Sequence, residues 1–295
     1  MSDRITKHGR CFSLKIDSMP ELPEVETIRQ GLMVDLPGKR IEKVEILRSD
    51  SIGYPGPQEF AEGLKGHRFV EIRRRGKYLL FSLNNGAWLV AHLRMSGRLL
   101  VIDKEHVPSV HLRVRILLAG GSELHFEDMR VFGRLWYIPA GQRCEEVVAG
   151  LAKLGIEPFA NLKGLHLKRG FRRRTQPIKT ALLDQSVVAG LGNIYADEVL
   201  FHAGIHPLTR ASELTMLELN RLALKIKTVL REAIRLGGSS LRNYTDARGV
   251  SGNYQQEAWV YGRAGKSCRI CTQKVVRVRL AGRSCHFCPH CQSRP

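Results

Sequence analysis

The hydrophobic rhythm of the chain changes near residue 150. Before it, apolar residues come in short runs: IEKVEIL at 41–47, RFVEIRR at 68–74, YLLFSL at 78–83, AWLVAHL at 87–93, HLRVRILL at 111–118, ELHFED at 123–128 and GRLWYIP at 133–139. The runs are rich in branched and aromatic residues, and turn signals such as Asn84-Asn85-Gly86 and Gly120-Gly121 separate them. Several short strands at close spacing predict a β-sandwich or barrel. One helix precedes them. Proline is favoured at a helix start and acidic residues complement the dipole there, so Pro23-Glu24-Val25-Glu26 reads as a first turn. Val25, Ile28 and Leu32 then share a face, and Pro37-Gly38 ends the run.

After residue 150 the period is helical, in LKGLHLKRGFRRRTQPIKTALLDQ (162–185), in NIYADEVLFHAGIHPL (193–208) and in the long amphipathic stretch from Ser212 to Gly238. Residues 239–257 are polar and contain glycine, which predicts a mobile loop. The expected architecture is α+β and multidomain: an extension over 1–18, a helix plus β-sandwich over 19–150, a helical domain over 151–257 and a cysteine-bearing unit over 258–295.

Apolar residues make up 43% of the 295 residues, enough for real cores. No run approaches the roughly eighteen apolar residues a membrane helix needs. Residues 1–18 lack the apolar segment of a secretory signal. Lysine and arginine number 47 against 28 acidic residues, a formal charge of +19. The basic residues cluster at Arg73-Arg74-Arg75-Gly76-Lys77, at Lys168-Arg169 with Arg172-Arg173-Arg174, and throughout 263–294. Such clusters attract phosphates by releasing counterions, so a nucleic acid is the expected partner. A membrane surface is disfavoured, because no basic amphipathic helix with an aromatic face stands out.

Five of the seven cysteines lie at or after position 268. Cys268-Arg-Ile-Cys271 is followed, sixteen residues later, by Cys288-Pro-His-Cys291. Paired C-x-x-C knuckles at that separation suit tetrahedral zinc. The alternating stretch between them predicts a β-hairpin that carries Arg277, Arg279 and Arg283. Four thiolates leave no open position, so one structural Zn²⁺ is expected. A redox pair is the rival reading, but no βαβ pattern accompanies it, and Cys285 and His286 compete as ligands at a less suitable spacing.

Pro20 follows Met19 directly. Inside a chain, a proline nitrogen is an amide and no nucleophile. Exposed by removal of Met19 it becomes a secondary amine, which condenses with an aldehyde carbon to give an iminium ion. A terminal amine has a reference pKa near 8 against about 10.4 for lysine, so it is roughly a hundredfold richer in the neutral form at pH 7. Glu21 would stand beside the reacting carbon, suited to proton transfer.

Met19-Pro20-Glu21-Leu22-Pro23-Glu24-Val25-Glu26-Thr27 resembles the N-terminus of the bacterial formamidopyrimidine-DNA glycosylases. GLGNIYADE (190–198) resembles that family's helix–two-turn–helix signature. The tail resembles its zinc finger, from Tyr261-Gly262-Arg263 to Cys291-Gln292. The resemblance spans about residues 19–292. It implies a monomeric base-excision repair enzyme, bacterial and cytoplasmic, nucleoid-associated through its binding of damaged duplex DNA. Such an enzyme removes oxidised purines such as 8-oxoguanine and formamidopyrimidines, then cuts the strand by β,δ-elimination as a lyase.

The same resemblance implies site residues. Pro20 would be the nucleophile, Glu21 the acid, Lys77 the β-elimination lysine, and Arg283 the finger arginine that grips phosphates and assists δ-elimination. Asn193 would bind phosphate at a helix N-terminus. Met95, Arg130 and Phe132 would fill the gap left by the everted base, and His111 and Arg174 fall at further DNA-contact positions. On spacing alone Met95 and Phe132 read as core residues, and Lys77 as a plain phosphate contact.

The chain also departs from the family. Met129 and Val131 stand where proline and a second arginine are common, and Cys285 where a threonine-like residue is common. The segment before Met19 would block Pro20. Met19-Pro20 is well suited to methionine removal, so the expected explanation is a misassigned start, with a removed leader or a genuine arm as alternatives. The rival functions are an endonuclease VIII-type enzyme for oxidised pyrimidines, a catalytically silent DNA-binding homologue, and an RNA-binding zinc ribbon.

Overall fold

The computed structural model describes residues 19–103, 107–239 and 253–293. The extension at 1–18 and most of the loop expected over 239–257 lie outside them. In chain order the sandwich half contains α1 (Leu22–Asp35), β1 (Ile41–Ile46), β2 (Ile52–Tyr54), α2 (Pro57–Leu64), β3 (Phe69–Arg75), β4 (Tyr78–Leu83), β5 (Trp88–His92), β6 (Gly97–Asp103), β7 (Leu112–Leu118), β8 (Ser122–Asp128) and β9 (Arg134–Ile138). Two sheets form, ordered β1-β7-β8-β6 and β2-β9-β5-β4-β3. Their inner faces share one core. Ile41, Val114, Ile116, Leu124 and Phe126 from the first sheet meet Phe69, Ile72, Phe81, Leu89 and Leu135 from the second. Val25, Ile28 and Leu32 of α1 join that core, as their spacing predicts.

All seven expected strands are present within a residue or two of their predicted ends. Two strands and a helix were not expected. β2 is three residues long and exists by pairing in parallel with β9. β6 opens on a glycine, and its Leu-Leu-Val-Ile run has no period-two alternation to mark it. The eight residues of α2 include a glycine that weakens their helical signal.

The second half contains α3 (Cys144–Val147), α4 (Ala149–Ala152), α5 (Gly164–Phe171), α6 (Ile178–Leu182), α7 (Asn193–His202), α8 (Met216–Arg235) and α9 (Tyr254–Glu257). The helical stretch expected over 162–185 is thus two helices. Pro177 interrupts it, lacking an N–H and fixing its own φ. α8 begins with a capping box: Thr215 Oγ1 accepts from Glu218 N at 3.3 Å, and Glu218 accepts from Thr215 N at 2.8 Å. α9 places one helical turn at the end of the expected loop. No helix among the described residues is long and apolar enough to cross a membrane.

The chain closes with β10 (Val276–Leu280) and β11 (Arg283–Phe287), an antiparallel hairpin. Its turn is Ala281–Gly282, with φ of 46° and 78°. Two successive positive φ values match the twist of paired strands, as in a type I′ turn.

Candidate active site

The site forms where the start of α1 meets the start of α7. Glu21 is the N-cap of α1, and its backbone N–H donates to Glu24 Oε2 at 2.9 Å. Its carboxylate faces the other way, accepting from the N–H groups of Ile194 at 2.8 Å and Tyr195 at 3.3 Å. Those are free donors of the first turn of α7, so the helix end acts as an anion cradle for a side chain. Two glycines make the approach possible. Gly190 has φ +90°, and a Cβ there would stand 2.6 Å from Leu22 Cδ1, while a Cβ on Gly192 would collide with the Glu21 carboxyl group. The glycine pattern therefore has a physical cause beyond capping. Gln185 fixes the loop, accepting from Gly190 N at 2.9 Å and donating to Leu191 O at 2.7 Å.

Pro20 and Glu21 are both buried. Burial pushes the Glu21 carboxyl up to about 7, with Glu24 adding to the rise while the Lys77 charge and the two α7 amides oppose it. Glu24 is raised in the same direction, mainly by burial. It is held on three sides: besides the Glu21 amide it accepts from Tyr195 Oη at 2.6 Å and from Ser239 N at 2.7 Å.

Lys77 reaches this centre from the two-residue turn Gly76–Lys77 between β3 and β4. It is 5% exposed, and burial lowers its pKa against the opposing pull of Glu21 and Glu24, with Arg283 lowering it further. Glu157 secures the turn by accepting from Gly76 N and from Arg74 at 2.9 Å. This revises the basic cluster at 73–77. Arg74 is buried between Glu26 and Glu157, and Arg75 donates to Glu157 and to the carbonyls of Leu154 and Gly155. Those two guanidiniums are internal ties, so fewer charges of this cluster face a polyanion than its sequence implies. His92, beside Lys77 and edge-on to Tyr78 at 4.4 Å, is held down to about 3, chiefly by burial, and stays a neutral imidazole.

Asn193 opens α7 and donates to Ser284 Oγ at 3.2 Å, so it touches the finger hairpin next to Arg283. Arg283 itself is exposed at the start of β11. Tyr261 packs edge-on to His286 at 5.0 Å, and burial pushes its hydroxyl up to about 12.

Met95, Arg130 and Phe132 lie on two neighbouring loops. Asp128 joins them by accepting from the Ser96 hydroxyl, from Arg130 N at 3.1 Å and from Gly133 N at 2.7 Å. Phe132 is 49% exposed and Arg130 lies over its ring at 4.8 Å. The structure thus takes Phe132 out of the core, where its spacing alone would put it. Val131, between them, has φ +56°. A β-branched residue there is strained, typically by about 1–3 kcal/mol. His111 lies at the base of the same loop, its carbonyl accepting from Asp128 N at 2.9 Å. Arg174 is apart from this group, with its guanidinium on Asp184 at 2.5 Å and on Gly170 O at 2.9 Å.

Cys268, Cys271, Cys288 and Cys291 have their sulfurs within 4.8 Å of one another. Four thiolates around zinc at about 2.3 Å stand about 3.8 Å apart, so this donor set fits the ion. Cys271 and Cys288 are 3.4 Å apart, Cys268 and Cys291 3.9 Å. The rival ligands are engaged elsewhere. His286 Nδ1 lies 3.1 Å from Asp197 Oδ2, and Cys285 is buried near the same carboxylate, its thiol pushed up to about 12 by burial and then by Asp197.

Several participants escaped the sequence reading. Glu24, Asp197 and Glu198 are buried carboxylates and Glu157 is a half-buried one, with partners far off in the chain. Glu198 accepts from the N–H groups of Trp259, Val260 and Tyr261 at 2.8–3.0 Å and so holds the turn that leads into the finger. Glu24 was legible as a first-turn acid, and Asp197 and Glu198 as part of a helix signature, but none of these positions showed its partner.

Comparison with known proteins agrees with this geometry. The profile of the formamidopyrimidine-DNA glycosylase N-terminal domain matches residues 19–135, and that of the formamidopyrimidine-DNA glycosylase H2TH domain matches 154–245. The chain is 55% identical to the formamidopyrimidine-DNA glycosylase of Gloeobacter violaceus over 277 residues, covering 93% of this chain and 98% of that one. Among solved structures it resembles the complex of Lactococcus lactis FPG with a FAPY-dG containing DNA, with a TM-score of 0.84 and 34% identity over 93% of this chain and all of the other. The MutM (FPG) protein of Thermus thermophilus gives a TM-score of 0.83 and 40% identity, covering 94% of this chain and all of that one.

Proposed function

The chain belongs to the formamidopyrimidine-DNA glycosylase family, and from that premise we propose that its Pro20–Glu21–Lys77 centre excises oxidised purines from duplex DNA and then cuts the strand. The enzyme is a base-excision repair glycosylase with lyase activity. The observation that carries the assignment of residues is the pairing at one buried point of Glu21, raised to about 7, with Lys77, lowered by burial. Two titrating groups pushed toward neutrality from opposite sides suit proton transfer in both directions.

In this reading the damaged nucleotide leaves the base stack. Met95, Arg130 and Phe132 enter the space, an apolar wedge and a cation supported by Asp128. The Pro20 nitrogen, as a free secondary amine, bonds to C1′ while the C1′–base bond breaks and its electron pair leaves with the base, which takes up a proton. After the nitrogen loses its own proton, its lone pair forms the C1′=N⁺ iminium as the C1′–O4′ bond opens. Glu21 delivers the proton to O4′. Removal of a C2′ proton, with Lys77 as the amine at hand, expels the 3′ phosphate. A second elimination, assisted by Arg283, expels the 5′ phosphate, and water releases Pro20 from the iminium.

Asn193 supplies a polar contact at the N-terminus of α7. Cys268, Cys271, Cys288 and Cys291 would hold one Zn²⁺, which stiffens the hairpin bearing Arg283 and takes no part in the chemistry. The name shared by the relatives, formamidopyrimidine-DNA glycosylase, favours a purine-directed range over the endonuclease VIII-type alternative, and the Lactococcus relative is seen both with FAPY-dG and with an oxidised pyrimidine in its DNA. All named residues come from one chain, so a monomer suffices. Because the relatives are bacterial, we take the site of action to be the bacterial cytoplasm, on the chromosome.

The test compares enzyme beginning at Pro20 with enzyme beginning at Met1, each confirmed by mass. Both are given duplex DNA with 8-oxoguanine opposite cytosine in borohydride. The first should cross-link and cut. The second should bind without doing either. Equal cross-linking by the intact longer protein would remove Pro20 as the nucleophile.

A further inference from the structure

We infer that a buried ion pair, Lys179 with Asp197, sets the position of Arg283 and thereby controls the second elimination step. This rests on the role given above to Arg283 and goes one layer behind it. Lys179, on α6, is 1% exposed, and Asp197, on α7, is 0% exposed; their Nζ and Oδ1 atoms are 2.6 Å apart. The same ammonium donates to the backbone carbonyl of Ser284 at 2.5 Å. The other carboxylate oxygen of Asp197 accepts from the backbone N–H of His286 at 2.9 Å and lies 3.1 Å from its Nδ1. Asn193, also on α7, donates to the Ser284 hydroxyl.

The finger strand is therefore grasped at Ser284 and His286, both on the segment that begins with Arg283. Strand pairing adds stiffness, since Leu280 and Arg283 close the tight turn Ala281–Gly282. Arg283 is next in the chain to the carbonyl that Lys179 holds. Nothing else in the site described above requires a charged lysine at this depth. An isolated buried ammonium is costly, and one kept beside a carboxylate and a carbonyl is fixed in place. α7 holds Glu21 at its first turn and β11 at its middle, so one rigid helix registers the acid against the arginine. Lys179 and Asp197 touch neither substrate nor reacting atoms; they are positioning residues.

The test uses enzyme beginning at Pro20, with its zinc, on a duplex carrying a preformed abasic site. The readouts are borohydride trapping and the ratio of δ- to β-elimination product. Asp197→Asn should keep its zinc and trap within about twofold of the parent, while the δ/β ratio falls roughly tenfold or more, as when a supporting group lets a functional one drift. Arg283→Ala, measured alongside, should lower the same ratio at least as far. A merely structural role would depress zinc content, binding and trapping together and leave the ratio alone. If Asp197→Asn fails to retain zinc, the double variant Lys179→Met/Asp197→Leu, which fills the space with apolar groups, carries the same expectation. A parental ratio in a zinc-loaded variant, with Arg283→Ala defective, overturns the positioning role. An Arg283→Ala enzyme with a parental ratio overturns the role of Arg283 itself, and the inference with it.

Discussion

β7 and α7 are both well packed, but they bury opposite things. In β7, Leu112, Val114, Ile116 and Leu118 face the core while Arg113, Arg115 and Leu117 are half-exposed. In α7 every residue from Ile194 to Phe201 is buried, Asp197 and Glu198 included. β7 serves one apolar interface. α7 is enclosed on all sides, by the start of α1, by α8 and by the finger. Its charges are not on a solvated face; they are the joints to other elements. β7 is thus held chiefly by area removed from water. α7 adds a set of buried polar ties, and Glu21 and the hairpin that bears Arg283 hang from those ties.

The finger gives the comparison its most severe test. Cys288→Ala, or chelation of the metal, should release zinc and unfold β10 and β11 locally, since a structural zinc site supplies folding energy of roughly 10 kcal/mol or more. Metal analysis together with protection of the hairpin amides checks this, and the sandwich amides should stay protected. A finger that keeps its protection without metal would make the ion dispensable.

Removing one joint comes next. Glu198→Ala leaves the N–H groups of Trp259, Val260 and Tyr261 without their buried acceptor. The expected loss is about 2–5 kcal/mol, since each buried donor left without an acceptor costs about 1–3 kcal/mol. Denaturant unfolding measures it, and a loss below about 1 kcal/mol would argue that the ties on α7 are incidental.

Glu21→Gln is expected to have a pH-dependent effect. The folded protein holds the Glu21 proton more tightly than the unfolded chain, up to about 7 against the ordinary 4.5 of a glutamate. Between those values the folded state binds more protons, so stability falls as pH rises. The contribution is fully present below the lower value and lost above the higher one. Glutamine has no such titration, so the variant should gain on the parent by roughly 1–3 kcal/mol from pH 4 to pH 8. Glu24 and Glu198 are raised as well, so part of the slope should survive. Parallel stability curves for parent and variant would contradict the raised carboxyl.

The smallest effect belongs to the outside of the sandwich. Arg48 and Asp50 form a 2.9 Å pair with both side chains more than half exposed. Arg48→Ala should change stability by less than about 1 kcal/mol. An effect as large as that of Glu198→Ala would erase the distinction between a solvated pair and a buried joint.

The same distinction explains what the sequence made legible. Runs of branched and aromatic residues between turn signals mark strands whether or not one face is wet, so seven were visible, the wholly buried β8 among them, while β6, opening on a glycine, was not. The four clustered cysteines and the Pro20–Glu21 start were visible because their chemistry is local, residues a few places apart with one reason to be there. The joints were not, because the partner of Asp197 lies on β11 and that of Glu157 on the turn before Lys77. An arginine bound for a phosphate and one bound for a carboxylate look alike in a sequence. That is why Arg74 and Arg75 read as a polyanion surface and turned out to be internal ties.

In the proposed mechanism the chemistry starts at the Pro20 nitrogen. The most direct measurement traps the enzyme on 8-oxoguanine duplex with borohydride, digests the adduct and locates the sugar remnant by tandem mass spectrometry. The remnant is expected on the α-nitrogen of a peptide whose first residue is Pro20. A remnant on the Nζ of Lys77, with Pro20 unmodified, would contradict it.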